Sequence, residues 1–158
     1  MNKYSIALLS VCLSFTTISF AESGGDGFQL ISESEYQSQV GFKRPRVLTR
    51  GFTSVAKGSP KINVEKPTIS GEVASPTNIE ISFEADDGAQ IDVESLEVLY
   101  GWLALDITDR IKEHAKLSAK GLVASNVSLP EGDHTITIVI KDSKGRETEK
   151  ELSFSIAN

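Results

Sequence analysis

Residues 129–156 read LPEGDHTITIVIKDSKGRETEKELSFSI, and the fold prediction starts from this stretch. Residues 135–140 alternate threonine or valine with isoleucine, and residues 152–156 alternate leucine, phenylalanine and isoleucine with serine. Side chains on a strand point to opposite faces with a period of two, so each run predicts a strand with one buried face. The Asp142-Ser143-Lys144-Gly145 link between the runs has turn chemistry. The stretch therefore predicts a β-hairpin whose apolar face must be covered by the rest of the chain.

A further turn signal, Pro130-Glu131-Gly132, precedes the first strand of this hairpin. The order L-P-x-G-x-H, alternating strand, D-x-x-G and second strand resembles the last two strands of bacterial immunoglobulin-like domains. In those domains an aromatic residue near the start of the penultimate strand often hydrogen-bonds back to the backbone, as a tyrosine corner does. The resemblance covers residues 67–157 and implies that His134 occupies this corner position. It implies a fold and leaves the function open, because this fold hosts many unrelated roles.

Upstream of the hairpin, further runs of strand type are separated by turn residues. They cover residues 67–73, 79–84, 96–100, a minor strand near Leu117, and 121–129. The predicted fold class is all-β: a single immunoglobulin-like antiparallel β-sandwich of about seven strands.

Residues 106–114 form the one window of helical character. Asp106 can cap a helix there, and Ile107 and Ile111 share a face at a spacing of four residues. The window predicts either a single helical turn across one end of the sandwich or a short connecting strand.

Residues 1–21 carry one early cation, an apolar run, and small residues at positions 19 and 21. This pattern is typical of a secretory signal peptide, and the apolar run is too short for a membrane span. We therefore expect a periplasmic or secreted protein that is not an integral membrane protein. Cys12, the only cysteine, lies inside this segment, so no disulfide is expected after export.

The remaining chain divides by charge and composition into three parts. Residues 22–42 form an acidic tail, expected to be flexible apart from a helical turn over 32–40, and residues 43–66 form a basic linker. Residues 67–158 form the immunoglobulin-like domain and carry 17 acidic residues against 8 basic ones.

The basic linker carries seven lysines and arginines against a single acid, Glu65. It is either a solvated connection or an arm that contacts an anionic surface, a cell-wall polymer or the acidic face of a partner. Lys43, Arg44, Arg46 and Arg50 are the candidate contacts. Nucleic acid is excluded as a partner, because the segment is expected to be exported and lacks aromatic residues placed for base stacking.

No cofactor, metal or catalytic residue is predicted. His114 and His134 lie 20 residues apart without a metal-ligand spacing, and no methionine remains after the signal segment to build a copper site. The aspartates at turns and caps do not follow a calcium-loop pattern, so calcium is disfavoured. The calcium candidates considered are Asp86, Asp87, Asp92, Asp106, Asp109 and Asp142.

Trp102 lies between Tyr100-Gly101 and Leu103, and it either caps the core or forms an aromatic contact on the surface. The sequence favours an exported, non-catalytic binding or structural module of the cell envelope that contacts a protein partner, by loops at one end or by edge-strand pairing. The alternative is a carbohydrate- or cell-wall-associated accessory subunit of an envelope enzyme complex.

Overall fold

The computed structural model describes residues 27–40, 57–67 and 72–157, which form ten strands and two helices. In chain order they are β1 (Phe28–Gln29), α1 (Glu33–Gln39), β2 (Lys61–Lys66), β3 (Glu72–Ala74), β4 (Thr77–Glu84), β5 (Ile91–Tyr100), β6 (Leu105–Asp106), α2 (Thr108–His114), β7 (Ala115–Ser118), β8 (Gly121–Ser128), β9 (Gly132–Asp142) and β10 (Glu147–Ala157). No helix in these ranges is long and apolar enough to cross a membrane.

The strands form two sheets. In the first, the order is β1-β8-β4-β2, and β7 pairs with β8 along the same edge as β1. In the second, the order is β3-β10-β9-β5-β6, with β3 parallel to β10. Strands β2 and β3 follow each other in the chain but belong to different sheets. Apart from β3 with β10 and β1 with β8, all strand pairings are antiparallel. The fold is an immunoglobulin-like β-sandwich, as predicted, although it has about ten strands and not seven.

The predicted hairpin is confirmed as β9 and β10, paired from Lys141–Glu147 to Gly132–Ile156. The isoleucine face of β9 is 0–2% exposed and packs against inward-facing residues of both sheets. Burying one such side chain stabilises the fold by about 1.5–3 kcal/mol. The fully buried large side chains include Ile79, Leu96, Leu122, Ile136, Ile138, Ile140 and Leu152.

Strand β2 lies in the region that the sequence analysis assigned to the basic linker, so the sandwich begins before residue 67. Ile62 is buried and Val64 half-buried, and they alternate with polar residues as an edge strand requires. Lys61 and Lys66 flank this short pattern, which made it resemble a charged linker. In the fold they pair with Glu84 and Glu80 of the neighbouring strand.

Residues 27–40, which we call the arm, were expected to form a flexible tail apart from a helical turn at 32–40. In the structure they contain β1 and α1, and Leu30 and Ile31 between these elements are fully buried. Two adjacent apolar residues show neither the strand period nor the helix period, so periodicity could not reveal this docking.

The helix-like window forms α2, the first of the two structures predicted for it, and its N-cap residue Ile107 and its residue Ile111 are buried. Asp106 is not the cap that was predicted, because it precedes the N-cap residue Ile107. Its carboxylate instead accepts a 2.9 Å hydrogen bond from the Thr108 backbone N–H in the turn before the helix. The Thr108 hydroxyl and this backbone bond hold the pKa of Asp106 below its ordinary value. The Thr108 hydroxyl also accepts a 2.8 Å hydrogen bond from the backbone N–H of Val98. This bond pairs an N–H group on the edge of β5.

Candidate interaction surfaces

The two ends of the sandwich are closed by different parts of the chain. Strand β9 begins at Gly132, against which the arm packs, and finishes at Asp142, next to the β9–β10 turn. Arg146 of that turn contacts the backbone carbonyl of Lys57. We call the Gly132 side the arm end and the other side the arginine end.

His134 forms the predicted corner at the arm end. Its Nε2 lies 2.8 Å from the Pro130 carbonyl oxygen, so Nε2 carries the proton and donates it. Its Nδ1 then accepts a 2.8 Å bond from the Tyr100 hydroxyl. The side chain is 2% exposed, and this burial lowers the pKa of His134 because the charged imidazolium would lose its hydration. The same burial raises the pKa of Tyr100.

Tyr36 of α1 covers this corner from the solvent side. Its ring centroid lies 5.1 Å from that of His134, and Phe154 stacks on the same imidazole at 5.8 Å. The Tyr36 hydroxyl lies directly over Gly132, where a Cβ atom would overlap it. Gly132 has a φ of +121°, so a side chain at this position would be both strained and in conflict with the arm.

An ion pair joins the arm to α2. Arg110 donates bonds of 2.9 and 2.6 Å to the two oxygens of Glu35, and a third of 3.2 Å to the Leu30 carbonyl. Glu35 also completes a capping box with Ser32, accepting a 2.9 Å bond from the Ser32 backbone N–H. The Arg110 guanidinium and the Ser32 N–H together lower the pKa of Glu35 to about 2.

The first residues of the arm extend the first sheet. Phe28 and Gln29 pair in parallel with Val127 and Ser128, and the Leu30 N–H donates a 3.1 Å bond to the Ser128 carbonyl. Phe28 stacks on His114 with ring centroids 4.3 Å apart. His114 remains exposed overall while one face of its ring contacts the arm.

Apolar side chains are exposed beside the arm. Val40 at the end of α1 is 50% exposed and Leu103 in the β5–β6 turn is 53% exposed. Gln39, the residue before Val40, lies against Gly101 and donates a 3.4 Å bond from its side-chain amide to the Tyr100 carbonyl, so the end of α1 adjoins the turn that carries Leu103. Trp102 in the same turn is half-buried, intermediate between the two alternatives predicted for it.

The arginine end is closed by charge. Asp142 accepts bonds from the backbone N–H groups of Lys144 and Arg146 and a 2.7 Å bond from the Arg146 Nε. Burial alone would raise the pKa of Asp142, but these bonds outweigh it and hold that pKa below its ordinary value. Arg146 also reaches the Asp87 carboxylate at 3.2 Å and the carbonyls of Asp86 and Lys57.

A shallow groove of about 310 Å³ crosses the outer face of the first sheet. Its floor contains Gly121 and the 42%-exposed Val123 of β8. Glu80 of β4 and Lys116 of β7 lie directly across from Val123 on either side. The groove thus has an acidic and a basic wall, and its lining also includes the hydroxyl side chains of Ser82 and Ser118 and the apolar residues Ile81 and Leu117.

The candidate basic contacts Lys43, Arg44, Arg46 and Arg50 lie outside the described residues. The interpretation of the aspartates as turn and cap residues is confirmed where hydrogen bonds identify it: Asp86, Asp92, Asp106 and Asp142 each accept a bond from a nearby backbone N–H. Asp87 instead pairs with Arg146. Within residues 27–40, 57–67 and 72–157, no three histidine, cysteine or acidic side chains are grouped to hold a metal ion.

The sequence analysis missed the residues that dock the arm, chiefly Glu35, Tyr36 and Arg110. One local signal was present, because Ser32-x-x-Glu35 has the form of a capping box. Arg110 lies 75 residues from Glu35 in sequence, and no local pattern connects such a pair.

Comparisons with known proteins identify similar folds and no family. No family model matches the chain, and no curated protein matches it. Among solved structures, the fibronectin(III)-like modules of Clostridium thermocellum CbhA match 61% of this chain at 13% identity with a TM-score of 0.41. The match spans 46% of that chain, less than half its length.

Two further structures are similar at the same level. CopC from Methylosinus trichosporium OB3b matches at 14% identity and a TM-score of 0.37, covering 61% of this chain and 93% of its own. Murine CRIg matches at 10% identity and a TM-score of 0.34, covering 61% of this chain and 95% of its own. Scores this low carry no argument about function, and the fold assignment rests on the strand order and the histidine corner.

Proposed function

We propose that this chain is an exported, non-catalytic immunoglobulin-like module that binds another protein of the cell envelope through its arm end. The observation that carries the proposal is the pair of exposed apolar side chains, Val40 and Leu103, beside the half-buried Trp102. Exposed apolar side chains grouped with an aromatic residue are typical of protein contact sites.

The charge of the neighbouring sequence supports the same surface. The chain continues from Val40 into residues 43–50, which hold four basic residues and no acid. A basic cluster next to an apolar patch suits a partner with an acidic rim, and such charges act chiefly on the association rate and on specificity. The resulting complex weakens as salt is raised, because the screening length falls from about 10 Å at 0.1 M to about 3 Å at 1 M.

Among the described residues, the side chains with shifted pKa values have structural roles, which supports binding over catalysis. Glu35, Asp106 and Asp142 have lowered pKa values because each accepts hydrogen bonds that hold a helix or turn in place. His134 has both ring nitrogens hydrogen-bonded, to Pro130 and Tyr100, and is 2% exposed.

Residues 1–21 support export to the envelope. Their apolar run is followed by small residues at positions 19 and 21, which is the pattern that a signal peptidase cleaves.

Site-specific photo-cross-linking in intact cells tests the proposal. A photoreactive residue is placed at Leu103, and in a matched variant at Val123, which is similarly exposed but lies on the outer face of the first sheet. We expect a cross-linked protein of defined mass from position 103 and none from position 123. Cross-links from neither position, in a chain that is exported and folded, would overturn the proposal.

The groove on the first sheet supports a second candidate function, contact with a cell-wall carbohydrate. Its hydroxyl side chains, Ser82 and Ser118, and its charged walls offer hydrogen-bond partners to a polar polymer. Here we expect cell-wall polymer to retain the native chain and to release a Val123→Arg variant, whose side chain fills the groove. Equal retention of both would remove this candidate, and Leu103→Arg serves as the matched control at the arm end.

A further inference from the structure

We propose that the arm also docks in trans, so that two copies of this chain exchange arms and form a symmetric dimer. The proposal concerns contact between copies and does not depend on the envelope partner proposed above. It rests on three features: a dock formed without the arm, an arm with its own local structure, and a connection that runs between opposite ends of the sandwich.

The dock is the surface formed by Arg110, Val127, Ser128, Gly132 and His134. All five residues belong to α2, β8 and β9, which are held in the sandwich by sheet pairing and core burial. Gly132 leaves the space that the Tyr36 hydroxyl occupies. The dock therefore presents the Ser128 carbonyl, the Arg110 guanidinium and the space over Gly132 to an arm of its own chain or of another copy.

The arm has its own local structure. Its capping box closes the first turn of α1 through hydrogen bonds between Ser32 and Glu35 alone. Its contacts with the dock include a two-residue parallel strand, a bidentate ion pair and a tyrosine ring that packs on a histidine ring. Because a second copy presents identical groups, the exchanged contacts have the same free energy as the internal ones, and only the connection and the concentration decide between them.

The arm is not held to its dock by a short loop. Its last residue, Val40, lies at the arm end, whereas Lys57 lies at the arginine end beside Arg146. These ends are separated by β9, an 11-residue strand whose length is about 37 Å at 3.4 Å per residue. The 16 residues from 41 to 56 reach at most about 55 Å. A connection of this reach permits docking on a neighbouring copy as well as on its own.

The start of the connection determines how two copies lie in the exchanged dimer. The connection leaves the sandwich at Lys57, at the arginine end, and the arm that it carries docks at the arm end of the other copy. The symmetric arrangement with the shortest connections therefore places the arm end of each copy beside the arginine end of the other. Because the arm contacts are the same in both states, exchange increases with the concentration of the chain.

A charge-swap mixture tests the exchange. E35R carries a mismatched arm on a native dock, and R110E carries a native arm on a mismatched dock, so each variant alone is repelled by its own partner residue. In an equimolar mixture both cross-pairings are matched, because the reversed arm of E35R meets the reversed dock of R110E, and the native arm meets the native dock. We expect at least about tenfold more dimer in the mixture than in either variant alone, measured by native mass spectrometry.

The double variant E35R/R110E restores the pair within one chain and is the control for folding. If it regains the thermal stability of the native chain while the mixture stays monomeric, the exchange proposal is wrong. For the native chain, we mix isotope-labelled and unlabelled copies and measure ring contacts between Tyr36 of one and His134 of the other by filtered NMR. Contacts between copies that grow with concentration support exchange, and contacts only within a copy at every concentration overturn it.

Discussion

The arm end and the arginine end close the same sandwich by opposite means. The arm end is closed by 14 residues that bury two apolar side chains, Leu30 and Ile31, and cover a neutral histidine. The arginine end is closed by one guanidinium, Arg146, shared among carboxylates and carbonyls. Apolar burial is non-directional and scales with area, whereas the hydrogen bonds of a guanidinium require fixed geometry.

Only the arm end can open while the rest of the sandwich stays folded. The arginine end lies in the turn between β9 and β10, so its contacts are lost only when the central hairpin unfolds. The arm joins the sandwich through a two-residue strand and a seven-residue helix, so it can leave while the hairpin persists. Local opening of this kind is drawn from the least stable parts of a structure.

The largest expected effect follows from Leu30→Ala. The fully buried side chain is removed from the junction between β1 and α1, and we expect a loss of about 3 kcal/mol, limited by the free energy of docking because the arm can detach. Urea unfolding measures the loss, and the fluorescence of Trp102, the only tryptophan, reports the arm end separately. Val40→Ala, at a half-exposed position, is the control and should change stability by less than about 0.5 kcal/mol.

A smaller loss is expected from Asp142→Asn at the arginine end. The amide oxygen can still accept from the Lys144 and Arg146 N–H groups, but the charge that pairs with the Arg146 guanidinium is gone. The unfolding midpoint should fall without a separate arm transition, since the hairpin and the whole sandwich unfold together. Asp87→Asn removes the exposed partner of the same guanidinium and should leave the midpoint nearly unchanged.

Glu35→Gln should change how the stability of the arm end depends on pH. Glutamine preserves the capping box, so at neutral pH we expect a loss of at most about 1 kcal/mol from a partly exposed pair. The folded pKa of Glu35 is about 2 against 4.5 for the free group, so the stabilisation is complete above pH 4.5 and is lost as pH falls toward 2. The variant should show a flatter stability profile between these values, and identical acid profiles would contradict the ion pair.

The parts of the fold that could be predicted from the sequence are those specified by patterns of neighbouring residues. The hairpin and the histidine corner were predicted, and α2 was one of two structures predicted for its window, because periodicity and turn residues within a few positions specify them. Strand β2 was missed because Lys61 and Lys66 obscure the short alternation at Ile62 and Val64. The arm was missed because its two buried residues are adjacent and its ion pair joins residues far apart in sequence.

The smallest expected effect concerns His134. Its pKa lies below the ordinary 6.5 because burial disfavours the imidazolium, so the folded state binds fewer protons than the unfolded state. Stability is therefore complete above pH 6.5 and decreases as pH falls below it. Tyr36, Tyr100 and Asp133 are the titratable groups next to this ring, and the charge of Glu35 acts on Tyr100.

His134→Tyr places the usual corner residue at this position and removes the imidazole. Its hydroxyl can donate to the Pro130 carbonyl, while the partner of the Tyr100 hydroxyl is lost. We expect the decline of stability just below pH 6.5 to disappear, as measured by thermal unfolding at a series of pH values. A decline that persists unchanged in the variant would assign it to a different group.

Hydrogen exchange resolved by residue tests most directly whether the arm belongs to the fold. In the native chain, the amides of Leu30, Tyr36 and Val40 should be protected, because they donate to carbonyls of Ser128, Ser32 and Tyr36. In Arg110→Glu these amides should lose protection while the Asp142 amide, bonded to the Arg146 carbonyl, keeps it. Exchange of residues 30–40 at the rate of an unstructured peptide in the native chain would contradict the account.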